Sequence, residues 1–447
     1  MAVVINGTTG ISGVDGSAGT PALQGGDPDT GIFYGTNTVS IATNGVAAVT
    51  VDASGNTTFA AQTLFPDGSV SAPAISNMGD VNTGVYFPAA DNVAIATGGV
   101  AALTADSSQN VSVTNTLVMG SSFKRNRIIN GNMGVWQRST SSVALTNAVA
   151  YGTADRWFAV MDTTAAGTWQ QGTSVPTLPN ISQYSMRIGR NSSSTSTNTI
   201  RMYQIVESVN CYDLAGQTVV VSFYAKAGAN YSSSGSALSL QIIQGTGVDQ
   251  SAATMYSGNW TGTSTTNNSS TITTTWARYT YSFTVGSSTS EIAIGFTYTP
   301  TGTAGADDNV YITGVQLEVG SVATPYERQI YSDQLAQCQR YLPAFSGTGQ
   351  LGAGGNASSN TQAYTTIIFP VPARVAATGM TINAASNFVI GCAGVTSDFT
   401  CTAVSASNHS TSGSLILSTV SSGLTAGQVI TMRGGGSALM YFTGCEL

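Results

Sequence analysis

Apolar and polar residues alternate with a period of two through much of this chain, the pattern of strands that bury one face. The clearest runs are Gln217 to Lys226, Leu238 to Ile243, Tyr279 to Val285, Ile292 to Tyr298 and Val310 to Leu317. In the first, Val219, Val221 and Phe223 share one face, while Val220, Ser222, Tyr224 and Lys226 share the other. Strands of this kind, spaced by Ser, Gly and Asn loops, predict a two-sheet sandwich. One helix stands out, Gln329 to Leu342: Tyr331, Leu335, Cys338 and Leu342 recur at helical spacing, Ser332 is placed to cap the first turn, and Pro343 stops it. After a glycine-rich link, further strands are expected at Tyr364 to Val371, Gly413 to Val420, Val429 to Met432 and Met440 to Thr443. The predicted class is all-β.

The first hundred-odd residues contain a repeat. Gly26-Asp27-Pro28-Asp29-Thr30-Gly31 returns as Gly79-Asp80-Val81-Asn82-Thr83-Gly84, and Val39-Ser40-Ile41-Ala42-Thr43 returns as Val93-Ala94-Ile95-Ala96-Thr97. Each copy reads as short strands around glycine turns and is too small to enclose a core of its own. Such modules become stable by joining neighbours, here by association between chains. The aspartates of these turns are read as satisfying backbone groups rather than binding calcium.

Composition narrows the function. Only 8% of the residues are charged, Gly occurs 51 times, and the net charge is −7. Eight aspartates and no basic residue precede Lys124, whereas all 14 basic residues, Lys124 included, and the other 13 acidic ones lie from there on. Nucleic acid is therefore not an expected partner, since no basic stripe exists to neutralise phosphates. No apolar run has the length of a membrane span, and membrane insertion is not expected. The five cysteines lack CxxC spacing and read as packed thiols of a reducing compartment.

Catalytic constellations are scarce. His409 is the single histidine, no G-x-S-x-G elbow occurs, and Asp307-Asp308 is the one adjacent carboxylate pair, whose members point to opposite faces of a strand. The expectation is a chain that is not an enzyme, with polysaccharide depolymerisation ranked last among the readings, and that needs no cofactor. Asp307 and Asp308 are the candidate ligands of a structural calcium, against an ordinary polar turn. His409 is read as a loop residue in preference to a metal ligand on a symmetry axis.

Binding surfaces are the better lead. If Val219, Val221, Phe223, Leu238, Leu240 and Ile242 face the core, the opposite face collects Tyr224, Lys226, Gln241 and, from Ile200 to Val206, either Arg201 and Tyr203 or their neighbours. Aromatic plates among amides suit sugar rings, and suit an adjacent subunit equally. Tyr256, Asn259 and Trp260 lie in a Gly/Ser-rich loop where Trp260 is either a ligand anchor or a plug over the sandwich end. Trp136, Trp157 and Trp276 are assigned to the core.

Several strings resemble bacteriophage tail-fibre and receptor-binding proteins. The segment from Arg125 through Asn130, Trp136 and Arg138, followed by Ala154-Asp155-Arg156-Trp157-Phe158, resembles the opening of their jelly-roll domain. Gly314 to Arg328 is similar to its end, and Leu335 to Tyr341 to the helix after it; the repeats are similar to fibre-shaft modules, and Phe369 to Arg374 with Ser422 to Gly427 to a C-terminal β domain. The resemblance implies an elongated homotrimeric fibre of the virion, assembled in the host bacterial cytoplasm. Its parts would be a virion-attachment segment over 1–18, two shaft repeats over 19–116, a jelly roll over 117–328, a connector helix and link over 329–346, and a C-terminal β domain over 347–447. Its partners would be itself, with Leu335 and Cys338 near the trimer axis, other virion proteins through residues 1–18, and a host-surface glycan through Trp260, Asn259, Tyr256, Tyr224, Gln241 and Tyr203. A fibre that only decorates capsid or baseplate is the alternative.

Overall fold

In each repeat the glycine turns fold the chain into an antiparallel meander of five strands, seen here in a computed structural model that describes residues 4–6, 10–12, 14–114, 124–162, 166–177, 181–352 and 354–447. The chain divides into two compact units, Met1–Val118 and Met119–Leu447. The expected boundary at residues 116 and 117 lies outside the described residues, as do 1–3, 7–9 and 13 of the expected attachment segment.

The first unit holds the two repeats. Their central strands, Thr38–Thr43 with Val46–Val51 and Val93–Thr97 with Val100–Ala105, carry matching register shifts at Ile41/Ala42 and Ile95/Ala96. The alternation has an unusual sense. Small residues such as Ala42, Ala94 and Ala96 are buried, while Val39, Ile41, Val93 and Ile95 stay 42–47% exposed. Asp52 accepts from Ser54 and Asn56 backbone N–H groups, and Asp106 does the same for Ser108 and Asn110, so these carboxylates close turns.

The second unit opens with the sandwich. A six-stranded sheet runs in the order Val143–Ala144, Gly167–Gly172, Ser185–Arg190, Asn309–Val319, Thr218–Ala227, Ala277–Thr284. Against it packs a five-stranded sheet ordered Phe158–Met161, Ile200–Val206, Glu291–Tyr298, Ala237–Gly245, Ser264–Thr271. Val219, Val221 and Phe223 meet Leu238, Leu240, Ile294 and Phe296 in one core, with Phe223 and Phe296 edge to face at 4.7 Å.

The strings at the two ends of this domain clasp it. Asn126 donates to the Val315 carbonyl and accepts from Leu317 N, and Glu327 accepts from Asn126 N. Asn130 bonds Val135 through both amide atoms, and the Trp157 indole donates to the Asn130 carbonyl.

The expected helix is observed as Tyr331–Gln339. Ile330, not Ser332, occupies the N-cap, and no side chain caps the helix. Its buried face belongs to its own chain, which corrects one expected trimer contact: Cys338 is fully buried within a single copy and cannot touch another. Leu335 is half-buried. Arg156 lies 3.6 Å over the Tyr341 ring, and Glu207 accepts from Arg340 and Tyr341, which fixes the helix end to the sandwich.

The C-terminal strands close on themselves. Val429–Gly434, Gly355–Ala357, Gln362–Ile368, Gly413–Val420, Phe399–Ser407 and Phe388–Cys392 form a barrel because the last pairs back with the first. Its edges are thereby removed. A three-stranded sheet, Ala344–Ser346, Leu439–Thr443 and Gly379–Ile382, completes the domain. Arg138 pairs bidentately with Glu446 and Tyr151 donates to the Leu447 carbonyl, so the last residues lie on the sandwich. The five cysteines are free and buried. Among the described residues no helix is long and apolar enough to cross a membrane.

Candidate functional site

The strand Ile200–Val206 resolves the open choice of face. Ile200, Met202 and Val206 enter the core, and Arg201 and Tyr203 point outward. On the neighbouring strands Gly295, Gln241 and Asn267 also point outward, and the register aligns Phe158, Tyr203, Gly295, Gln241 and Asn267 in one row across five strands. Gly295 is essential to that row, because any Cβ there would overlap the Tyr203 ring. The ring lies across the glycine, and its hydroxyl donates to Gln241 Oε1; Gln241 Nε2 donates in turn to Asn267 Oδ1 at 2.8 Å.

This row splits the outer face. On one side Ile205, Ala293 and Ile243 are roofed by the helix Ala252–Tyr256 and by Trp260, forming a second small core with Phe158 and Leu447. On the other side Arg201, Thr297, Ser239 and Ser269 make a polar row across four strands. Where the two sides meet, a cleft of about 360 Å³ is lined by Arg201, Tyr203, Gln241 and Tyr256 among others. Asp162 accepts from Arg201 Nη1 at 2.8 Å and from the Tyr256 hydroxyl at 2.5 Å. Burial, reinforced by this bond to Asp162, pushes the Tyr256 phenol up to about 12. The phenol therefore stays a neutral donor at any physiological pH, and burial holds the Tyr203 phenol up in the same way. The cleft presents guanidinium, phenol and amide groups beside a row of hydroxyls.

The structure thus brings together Tyr203, Gln241 and Tyr256 and separates the other proposed contacts from them. Tyr224 lies on the six-stranded sheet, whose outer face points away from the five-stranded one. It is 8% exposed, packed beside Ile181 over Gly314. Its assignment to a shared face is corrected, since strands of opposite sheets turn their outer sides in opposite directions. Trp260 is 3% exposed and packs with Ile243, Ala252 and Met255, so it is the plug and not the anchor. Asn259 is exposed and donates to Ser257 Oγ at 3.1 Å. One tryptophan assigned to the core is also corrected: Trp276 is half-buried on the outer face of the six-stranded sheet, beside Lys226 and with its indole donating to Ser174. Trp136 is partly buried and packs against the sandwich core. Trp157 is fully buried.

The proposed calcium ligands do not fit a cation. Asp308 is fully buried against Arg190, which donates to it at 2.7 Å, while Ser232 supplies a backbone and a hydroxyl donor. The guanidinium occupies the place a metal would need, and its remaining N–H groups go to the carbonyls of Ser194, Ser196, Thr301 and Gly302. Asp307 accepts from Asn309, Tyr311 and Ala229 N. His409 is half-buried with Nδ1 2.7 Å from Ser414 Oγ. Among the described residues no group of three His, Cys, Asp or Glu side chains is placed to hold a metal.

Asp162 and the role of Gly295 were missed in the sequence. Register alone would have found Gly295, because it lies opposite Tyr203 and Gln241 at once. Asp162 carried no signal, being brought in from a loop after a different strand.

No family model matches the chain, and no curated protein matches it. Solved structures do resemble it at low similarity. One is the enzymatically active domain of bacteriophage CBA120 tailspike protein 4, with 15% identity and a TM-score of 0.29, over 44% of this chain and 22% of that one. A carbohydrate-binding module in complex with β-1,4-galactotriose is 13% identical with a TM-score of 0.27, over 44% of this chain and all (100%) of that one. An α-L-arabinofuranosidase bound to arabinose is 12% identical with a TM-score of 0.24, over 48% of this chain and 32% of that one. With an enzymatically active tailspike domain and an arabinofuranosidase among the structures it resembles, the expectation of a chain without enzymatic activity does not stand.

Proposed function

We propose that this chain is a structural fibre of a bacteriophage virion, assembled in the host bacterial cytoplasm as a homotrimer, that binds a host-surface glycan through residues beyond the repeats. The observation that carries the glycan reading is the row from Tyr203 over Gly295 to Gln241 and Asn267. It holds a polar cleft rigid and leaves the donors of Arg201, the Tyr256 ring and a line of hydroxyls at the surface. Sugar hydroxyls both donate and accept, and this set offers both. The repeats contribute reach and copy number. Their exposed aliphatic residues, the same in each module, would be covered by the other two chains, and three clefts on one particle raise avidity about a hundredfold or more when they engage together. Other virion proteins would hold the fibre through residues 1–18.

A second reading, a fibre that decorates capsid or baseplate without a receptor, is favoured by one observation: Trp260, Tyr203 and Tyr224 are spent on packing. The two readings separate in one assay. The full chain should compete with phage carrying it for adsorption to host cells, and Arg201→Ala should weaken that competition about tenfold. Because the Arg201–Asp162 pair is partly exposed, the substitution should cost less than about 1 kcal/mol of stability. Wild-type protein that never slows adsorption would favour the decorating fibre.

A further inference from the structure

Trp136 has a role beyond the clasp motif in which it stands. Its indole N–H donates to the Met133 carbonyl at 2.6 Å, and the half-buried ring packs on one side against the sandwich core, which together fix it in place. The ring then borders two adjoining cavities of about 570 and 480 Å³, both of which also reach Thr140 and Tyr331. Together they form a groove bounded by the sandwich, the helix Tyr331–Gln339 and the turn at residues 436–439. Sites of this size hold small ligands or several residues of a chain.

The lining says what kind. Asn132 Oδ1 and Gln329 Oε1 are buried acceptors with no donor, and both residues border the larger cavity. Leaving such an oxygen unpaired is costly, and a ligand donor would satisfy it. Gly134 lets the amides converge, since a Cβ there would stand 2.9 Å from Gln334 Oε1 and 3.2 Å from Asn132 Oδ1. Neither cavity is lined by a carboxylate, and Arg328 is the one charged side chain lining them. Amide acceptors beside a fixed indole face fit a ligand with hydroxyl donors on an apolar ring face, and give a cationic ligand no counter-charge.

We propose that this groove is a second binding site, separate from the Arg201 cleft, for a neutral oligosaccharide stacked on Trp136. The site goes beyond the function proposed above, because it stands on different residues and holds whether or not the Arg201 cleft binds. The test uses the full chain and a panel of neutral hexasaccharides derived from dextran, mannan, galactan and chitin, with binding read by calorimetry. At least one should bind. Trp136→Ala should lower the affinity of this site tenfold or more, and binding at it should persist in the Arg201→Ala chain. Thr140→Trp, at an exposed position common to both cavities, should block the groove without touching a core residue, and so covers the case in which Trp136→Ala fails to fold. Binding whose affinity and stoichiometry are unchanged by Thr140→Trp, binding lost only with Arg201→Ala, or no binding to the wild-type chain would each overturn the groove. The second of these results would leave the Arg201 cleft standing.

Discussion

The two units solve the burial problem in opposite ways. In the sandwich and barrel, alternation places Val219, Phe223, Phe388 and Met432 inside, and even charged groups such as Arg190 and Asp308 are buried with their partners. In the repeats the same period-two pattern turns alanines inward and leaves Val39, Ile41, Val93 and Ile95 outside. One unit completes its own core; the other presents apolar strand faces that a single chain does not cover. The lesson is that alternation identifies a strand but not which set of residues meets its own chain.

The largest effect that would sharpen this contrast lies in the second unit. Asp308→Ala leaves the Arg190 guanidinium buried without its counter-charge and should destabilise that unit by about 3–5 kcal/mol, read as a shift in the denaturant midpoint. An unchanged midpoint would mean that the pair is not what holds the strand ends together.

A smaller effect should appear with pH. Burial raises the Asp155 carboxyl to about 7, although Arg138 and two Gln137 donors work against that. The folded state then holds a proton that the unfolded state has already lost. Its contribution is fully present below the ordinary carboxylate value of 3.8 and is lost as pH rises through about 7. The melting temperature of the second unit should therefore fall between pH 4 and pH 7.5, and Asp155→Asn should flatten that slope. A slope that the substitution leaves intact would assign the pH dependence to other groups.

The smallest change in stability is expected from the repeats. Replacing Ile41 and Ile95 with Ser should leave the unfolding of the second unit within about 0.5 kcal/mol of wild type, because these side chains belong to no core of their own chain. The same double variant should lose self-association. If instead it unfolds the second unit, the two units are not independent.

Much of the fold was legible, and for a physical reason. Strands such as Gly413–Val420 and Glu291–Tyr298 have one or both faces buried and carry β-branched residues such as Ile416, Val420, Ile292 and Ile294 on a buried face, so period and propensity agree. The helix was legible from its spacing, but its cap was not: Ser332 looked suitable, yet the N-cap lies two residues earlier, at Ile330. Barrel closure was invisible, because it depends on pairing Phe388–Cys392 with Val429–Gly434 some forty residues away. The site was half legible. Tyr203 and Gln241 could be named from exposed-face arithmetic and Tyr256 from its Gly/Ser-rich loop, whereas Tyr224 was placed with them by treating strands of two sheets as one. Trp260 was misplaced because a Gly/Ser-rich loop signals exposure, and here the loop folds back so that the ring fills the gap above Ile243 and Met255. Asp308 looked like a calcium ligand because its partner, Arg190, is remote in sequence.

In the proposed fibre the aliphatic faces of the repeats are completed by further copies of the chain. Light scattering on the purified full-length protein at micromolar concentration tests it most directly. A trimer gives three times the mass of one chain for the wild type, and one chain mass is expected for the Ile41, Ile95 double serine variant. A wild-type protein with the mass of a single chain would contradict it.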